Sequence, residues 1–484
     1  VATSSAGACV ALAVLAACSD DPARDTFDPP DTGADAVNLP DGATVDTGPA
    51  VDARPPFDPA EEAVTCTATP CATQLVAGSD HFCVRLQNGT VQCWGSDAYG
   101  ALGAAAPTGD AGTKDSGAKD AGDAGDAAPP PATRIVSGLT TVAQLSAAGS
   151  TTCARLEDGT VKCWGANVNG ELGLAVNPPV FDEDPHPTPK NVALPNTATR
   201  IDVGHGSACA LLSTGSVACW GKDDQVQLAR ATDGGVEMVR GPGIAAMDSL
   251  AVLRTAFGSY TGLALTTTAE VWSWGALSGD EGTVSGRIAS ISPDRTPRRI
   301  PELAKVTSLV ASHTRIYQPE EPEPIPGIPP PPVFPVYIAH ACALANGEVY
   351  CWGRSDRGAL CTGIPDRELT PAHAPLAAKA WPQQLAVADE ITCARMTDGT
   401  VQCCGDDAKG RLGTGTSSEL FSAFFRPAEG FTGRAVQVAT SDHAVCVLVQ
   451  GGTVECWGGN KNGELGTGTR DDAAHPKATK VDLQ

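Results

Sequence analysis

Cysteine is the residue whose spacing could do chemistry in this chain. There are 18, and most stand in a recurring frame such as CARLEDGTVKCWG, from Cys153 to Gly165, with Asp-Gly near its midpoint. Paired thiols nine or ten residues apart could bind a metal or form a structural cross-link. A zinc site would need paired short spacings backed by histidines, and these are absent. A hairpin explains the frame. Glu157-Asp158-Gly159 suits a three-residue loop with glycine in the left-handed position. With Leu156 and Thr160 closing it, Cys153 falls opposite Cys163 in a non-hydrogen-bonded pair, where Cα atoms approach to about 4.5 Å. A disulfide spans that distance.

The other copies test this register. The copy from Cys342 has lost one residue, and its turn is Asn346-Gly347, a preferred two-residue loop; Cys342 again meets Cys351. In the copy from Leu263 both cysteines are gone together, replaced by Leu263 and Ser273. Six disulfides are therefore expected: Cys83–Cys93, Cys153–Cys163, Cys209–Cys219, Cys342–Cys351, Cys393–Cys403 and Cys446–Cys456. The alternative is buried free thiols on neighbouring strands. Cys66 and Cys71 are close enough to bridge a local loop. Cys404 replaces a tryptophan and Cys361 a glycine of the frame in successive copies, which suits a bridge between them. So many disulfides belong in an oxidising compartment.

The elements that position these pairs follow from the repeat. The frame occurs seven times, anchored at positions 94, 164, 220, 274, 352, 404 and 457, 52 to 78 residues apart. With 53 Gly, 38 Pro and 5% aromatics, the chain reads as many short strands joined by turns. That period indicates an array of small sheets such as a propeller. Strands such as PATRIVSGL are expected to lead each blade. PKATKVDLQ, residues 476–484, is then expected to complete blade one and close the ring, removing exposed sheet edges. Thr267-Thr268-Ala269 at the turn, and Asp280-Glu281-Gly282 in place of the usual Gly-x-Leu, mark blade four as the least stable.

The block HACALANGEVYCWGRSDRGAL resembles the regulator-of-chromosome-condensation repeat in its bacterial, cysteine-bearing form. The residues that carry the resemblance are His340, Asn346-Gly347, Trp352-Gly353 and Gly358-x-Leu360, and the pattern recurs over most of 73–483. The resemblance implies an all-β fold: a seven-bladed β-propeller of four-stranded antiparallel blades over residues 64–484. Members of that family promote nucleotide exchange on a nuclear GTPase, inhibit secreted β-lactamases or bind through propeller loops, so the fold does not select a function.

Outside the repeats, residues 8–17 form an apolar run too short to span a bilayer, like the core of a secretory signal. Leu15-Ala16-Ala17-Cys18 resembles the bacterial lipobox, although no Lys or Arg precedes the run. Residues 1–17 are read as a lipoprotein signal peptide and Cys18 as the lipid attachment site. Residues 18–63 read as a disordered acidic, Pro-rich tether, with twelve acids against Arg24 and Arg54 after Cys18. Two low-complexity inserts interrupt the repeats. The segment 104–130 lacks the alternate-residue spacing of a calcium loop, and 316–336 contains a polyproline stretch.

No nucleophile, base or metal set stands outside the repeat pattern. His81 and His340 hold a repeated position two before the hairpin cysteine, with His443 near it, and read as blade-turn residues. No catalysis, cofactor or metal is expected. A net charge of −23 argues against nucleic acid. The reading is a monomeric, lipid-anchored propeller of the bacterial cell envelope that touches the membrane through its lipid alone and binds a protein or glycan. The rival reading is an inhibitor of a secreted enzyme, of the β-lactamase-inhibitor propeller type. Connections alternate between the two ends of an up-and-down blade. The inserts 104–130 and 174–186, expected between blades, and 316–336, expected between the second and third strands of blade five, therefore share the face opposite the cysteine hairpins, as a binding face or as slack. If Cys18 carries the anchor, Cys18→Ser should move the protein from the membrane to the soluble fraction and abolish lipid labelling; unchanged membrane association removes the lipobox reading.

Overall fold

The computed structural model describes residues 63–484, apart from 104–131, 232–236, 277–283, 288–292, 320–332, 364–366, 377–379 and 419. Residues 1–17, Cys18, most of 18–63 and the insert 104–130 lie outside the described residues, as does the polyproline part of 316–336.

Seven sheets follow one another along the chain as the blades of a propeller, each with four antiparallel strands; the fifth carries one extra short strand. Blade one comprises Ala72–Ala77, His81–Leu86, Val91–Gly95 and Arg134–Ile135, in that order from the hub outward. The inner strands of blades two to seven are Val142–Ala148, Ala198–Gly204, Val252–Phe257, Val306–Ala311, Pro382–Ala388 and Ala435–Thr440.

The repeat count and strand order agree with the sequence, but the phase does not. The strand read from RIV is the outermost of blade one, pairing with Val91–Gly95, and does not lead blade two. Likewise Asp471–Lys480, which contains PKATK, pairs with Val454–Asn460 as the outer strand of blade seven. Among the described residues, no strand is exchanged between the chain's two ends. The last residues cross to blade one through loop and side-chain bonds: the Gln484 N–H donates to Gln92 Oε1 (2.9 Å), and the Thr133 hydroxyl to the Asp482 carbonyl (3.1 Å). On the other side, Thr65 and Thr67 N–H donate to the Gln450 and Gly451 carbonyls of blade seven, and Cys66–Cys71 closes that loop.

Within the blades the hairpins take the expected register. Cys153 pairs with Cys163, Cys342 with Cys351, and Leu263 with Ser273. The six hairpin pairs are disulfides with Cα–Cα 4.1 Å, near the separation of a non-hydrogen-bonded pair. Gly159 has φ +83°, and Asn346 and Gly347 have φ +52° and +81°, as their loop types require. In blade four Ala269 takes the glycine position at φ +60°, a conformation that a Cβ disfavours.

The core lies between blades. Seven apolar clusters, each shared by neighbouring blades, fill the seams, and a recurrent hydrogen bond crosses most of them. The Trp164 indole N–H donates to the Ala101 carbonyl of the preceding blade at 3.0 Å. Trp220 donates to Glu171, Trp274 to Gln227, Trp352 to Val284 and Trp457 to Arg411, all at 2.7–2.9 Å. Trp94 donates to Glu464 of blade seven at 2.8 Å, which closes the ring. Val284-Ser285-Gly286 supplies the acceptor turn of blade four, a role the sequence reading gave to Asp280-Glu281-Gly282, which lies outside the described residues.

The two irregular cysteines fill the one seam without this bond. Two residues beyond the acceptor, most blades have glycine, because a Cβ there would sit 2.7–2.9 Å from the indole nitrogen (Gly103, Gly173, Gly286, Gly413). In blade five that position is Cys361, and the facing tryptophan of blade six is Cys404; the two form a disulfide. The large ring and the missing Cβ are replaced together. The acceptor Ala359 carbonyl takes the Thr392 hydroxyl instead, at 2.7 Å. Cys404→Trp alone should therefore be strongly destabilising, by about 1–3 kcal/mol from overpacking. Adding Cys361→Gly should recover much of that loss, and thermal midpoints of the single and double variants decide it.

Candidate functional site

The two faces differ in construction. On one face the cysteine hairpins and the between-blade connections interlock: the hairpin glycine carbonyl accepts from the first residue of the next inner strand. Val142 N–H donates to Gly89, Ala198 to Gly159, Ala435 to Gly399 and Ala72 to Gly452, at 2.8–3.1 Å. On the other face lie the turns from inner to second strand and the connections from third to outer strand. The connections that carry the inserts start here: 104–130, outside the described residues, joins the third and outer strands of blade one; 174–181 does so in blade two, with 182–186 already in its outer strand Asp182–Asn191; and 316–336 runs between the inner and second strands of blade five. This sorting agrees with the sequence reading, but the first two inserts lie within blades, not between them, and the third follows the inner strand, not the second.

Described residues of the third insert build a ribbon. Arg315–Tyr317 pairs with Val336–Ile338, the first residues of the long strand Val336–Ala345, which continues into blade five. Ile316 (50% exposed), Tyr317 (49%) and Phe334 (72%) present apolar surface there. The base is held by charge. Arg315 reaches Asp356 (2.9 Å) in its own blade, and Asp389 (3.1 Å) and Glu390 (2.6 Å) in blade six. Arg411 contacts Asp406 (2.6 Å) and Glu390 (3.6 Å) and donates to the Asp442 carbonyl of blade seven. His443 meets Asp80 of blade one at 3.3 Å. Farther round, Lys222 lies over the Tyr260 ring (4.3 Å), which packs edge-on to Tyr337 of the ribbon.

This rim surrounds the mouth of a central channel of about 440 Å³. His205 and His313 stack there with centroids 5.1 Å apart, and His313 Nδ1 lies 3.8 Å from Asp442. Burial is the main influence on these groups. It lowers His205 to about 4 and raises Asp80 and Asp389 above the usual carboxylate range, despite nearby cations. Among the described residues, no three His, Cys, Asp or Glu side chains are grouped to share a metal ion.

His81 and His340 are seam residues. His81 Nε2 bonds Thr152 Oγ1 (2.7 Å) of blade two, and His340 Nε2 bonds Thr392 Oγ1 (2.8 Å) of blade six. Since the Thr392 hydroxyl proton goes to Ala359, His340 is the donor and carries its proton on Nε2. Sequence reading passed over the glutamines that line the channel, Gln74, Gln144, Gln384 and Gln437, each nine residues before a hairpin cysteine. Their amides clasp the next inner strand. Gln144 Nε2 donates to the Ile201 carbonyl (2.7 Å) while Oε1 accepts from Ile201 N–H (3.0 Å), and Gln74 does the same with Leu145 (2.9 and 2.8 Å). The constant spacing was the available signal.

The family model for the regulator of chromosome condensation (RCC1) repeat matches residues 72–101 and 142–171, each running from an inner strand through the hairpin to the acceptor turn. These two stretches of the chain are repeats of the RCC1 type. The ultraviolet-B receptor UVR8 of Arabidopsis thaliana is 34% identical over 144 residues, 29% of this chain and 32% of that protein. The E3 ubiquitin-protein ligase HERC2 of Mus musculus is 30% identical over 206 residues, 42% of this chain but 4% of the ligase. The match thus spans a third or less of these relatives. Among solved structures, yeast RCC1 (Prp20) bound to Kap60 superposes with a TM-score of 0.59 at 15% identity over 88% of each chain. Human WBSCR16 gives 0.54 at 17% identity, over 74% of this chain and 88% of that one. At these identities the structures establish the fold alone.

The buried histidines of this RCC1-repeat propeller have a measurable consequence. Burial lowers His81 to about 4 and His340 to about 3. Between these values and the ordinary 6.5, the unfolded chain binds protons that the folded one does not. Stability therefore falls as pH drops through that window, by about 1.4 kcal/mol per unit for each histidine. The raised carboxyls act in the opposite direction. Comparing urea midpoints of wild type and His340→Gln from pH 7 to 4.5 isolates the histidine, and the variant should show the shallower loss.

Proposed function

We propose that this protein is a non-enzymatic, lipid-anchored propeller outside the cytoplasm, and that it captures a protein partner on the inserted face. The observation that carries the reading is the ribbon at Arg315–Tyr317 and Val336–Ile338. It presents Ile316, Tyr317 and Phe334 to solvent, while ion pairs to two blades hold its base. Exposed aromatic and aliphatic side chains on a rigid base suit a protein interface, because little ordering entropy is lost on contact. A glycan site would instead call for planar hydrogen-bonding groups beside the aromatic rings.

Location rests on separate support. Eight disulfides suit an oxidising compartment, and the Leu-Ala-Ala-Cys motif supplies an anchor. No helix among the described residues is long and apolar enough to cross a membrane. Yeast RCC1 (Prp20), similar in fold, has been crystallised with Kap60 bound.

Ile316→Ser combined with Phe334→Ser should abolish capture of the partner from envelope extract at an unchanged thermal midpoint. Full capture by that variant sinks the reading.

A further inference from the structure

The channel's other end, on the hairpin face, has a different chemistry. The positions nine before the hairpin pair hold glutamine in four blades, but Arg200 and Arg254 in blades three and four, and both line the channel. Arg85 and Arg155 stand across the sheet register from Gln74 and Gln144. Arg85 and Arg155 thus stand in the seams beside the channel, Arg85 reaching the first residue of the blade-two inner strand, and the charges of Arg85 and Arg200 both act on Arg155, in a chain whose net charge is −23.

Nearby carboxylates do not use up the donors of Arg85, Arg155 and Arg200. Arg200 Nε bonds Asp202 at 2.8 and 3.1 Å. One oxygen of that carboxylate also accepts from the Thr255 N–H (2.9 Å) and hydroxyl (3.2 Å), so it is already committed to the seam with blade four. Glu157 acts on Arg85 from an exposed hairpin position. The Arg85 Nη1 contact is the Val142 carbonyl, at 3.4 Å. Arg155 Nη1 reaches the Leu156 carbonyl at 3.3 Å. The Nε atoms of both arginines are buried without a partner. After burial, Arg200 and Arg85 themselves hold the Arg155 guanidinium below its usual range. An unfilled set of planar donors in a positive field matches an oxyanion, which can accept two parallel N–H bonds.

We propose that the hairpin-face ends of the seams joining blades one, two and three form a binding site for a small oxyanion, a carboxylate or phosphate group, held by Arg85, Arg155 and Arg200. The site is separate from the inserted face and does not depend on what that face binds. Its ligand bridges three blades, so binding ties blades one to three together.

The test is thermal denaturation of the full chain, titrated with inorganic phosphate or citrate at constant ionic strength set by sodium chloride. The expected result is a midpoint that rises saturably with at least one of the two anions. Half-saturation should need at least tenfold more anion in Arg155→Gln and in Arg85→Gln. Saturation by phosphate alone, citrate alone or both supports the site and names the oxyanion it takes. A rise that does not saturate, or equal half-saturation in wild type and variants, overturns it. If Arg155→Gln lowers the midpoint in chloride alone, Arg85→Gln decides the question. Partner capture, if it occurs on the inserted face, stays unchanged in both variants and separates the two proposals.

Discussion

Seven sheets that share no backbone ladder must be joined by something else. Radiating blades diverge from the hub, so their outer strands cannot pair with those of a neighbour. The joining therefore falls to contacts in the seams, and three devices recur. A tryptophan N–H reaches back to the preceding blade, a glutamine amide clasps the next inner strand, and in most blades a hairpin carbonyl accepts from the inner strand that follows. Each leaves few buried polar groups unpaired, which matters because an orphaned donor or acceptor in such a seam costs about 1–3 kcal/mol. The close approach of turn to indole then dictates glycine two residues beyond the acceptor.

Cross-links are distributed against that background with a clear logic. The six hairpin disulfides lie inside blades, where the ladder already holds the strands together. Each closes only about eleven residues, so the entropic gain of each is limited to roughly 2.5–3 kcal/mol. The bridge between Cys361 and Cys404 is different in kind, because it joins two blades at the seam that lacks the indole bond. The covalent bond replaces the recurrent noncovalent one.

Much of this was legible in the sequence. Turn chemistry and cysteine spacing specify the hairpin register down to which residues face each other, since hairpin pairing is local. Blade phase was not legible. A strand such as RIV has the same alternation whether it ends one blade or begins the next, and only tertiary pairing decides. The rim was less visible still. Arg315, Asp389, Glu390 and Arg411 come from different blades and share no motif, and the inserts that break the repeat hide their alignment. The glutamine clasps lay between these cases: their spacing is regular, but a polar residue in a strand reads as solvent-facing until the channel is known.

Because every blade is one uninterrupted stretch of chain, and the junction of blade seven with blade one uses the same tryptophan bond as the others, no sheet of the ring depends on strands from both ends of the chain. A propeller closed by strand exchange has one blade assembled from two distant segments, and duplicating or deleting a unit there breaks a sheet. Here the unit of heredity and the unit of folding coincide. Whole blades can be copied, lost or reordered in the gene without cutting any ladder. The geometric demand that remains is that the number of blades fills the circle.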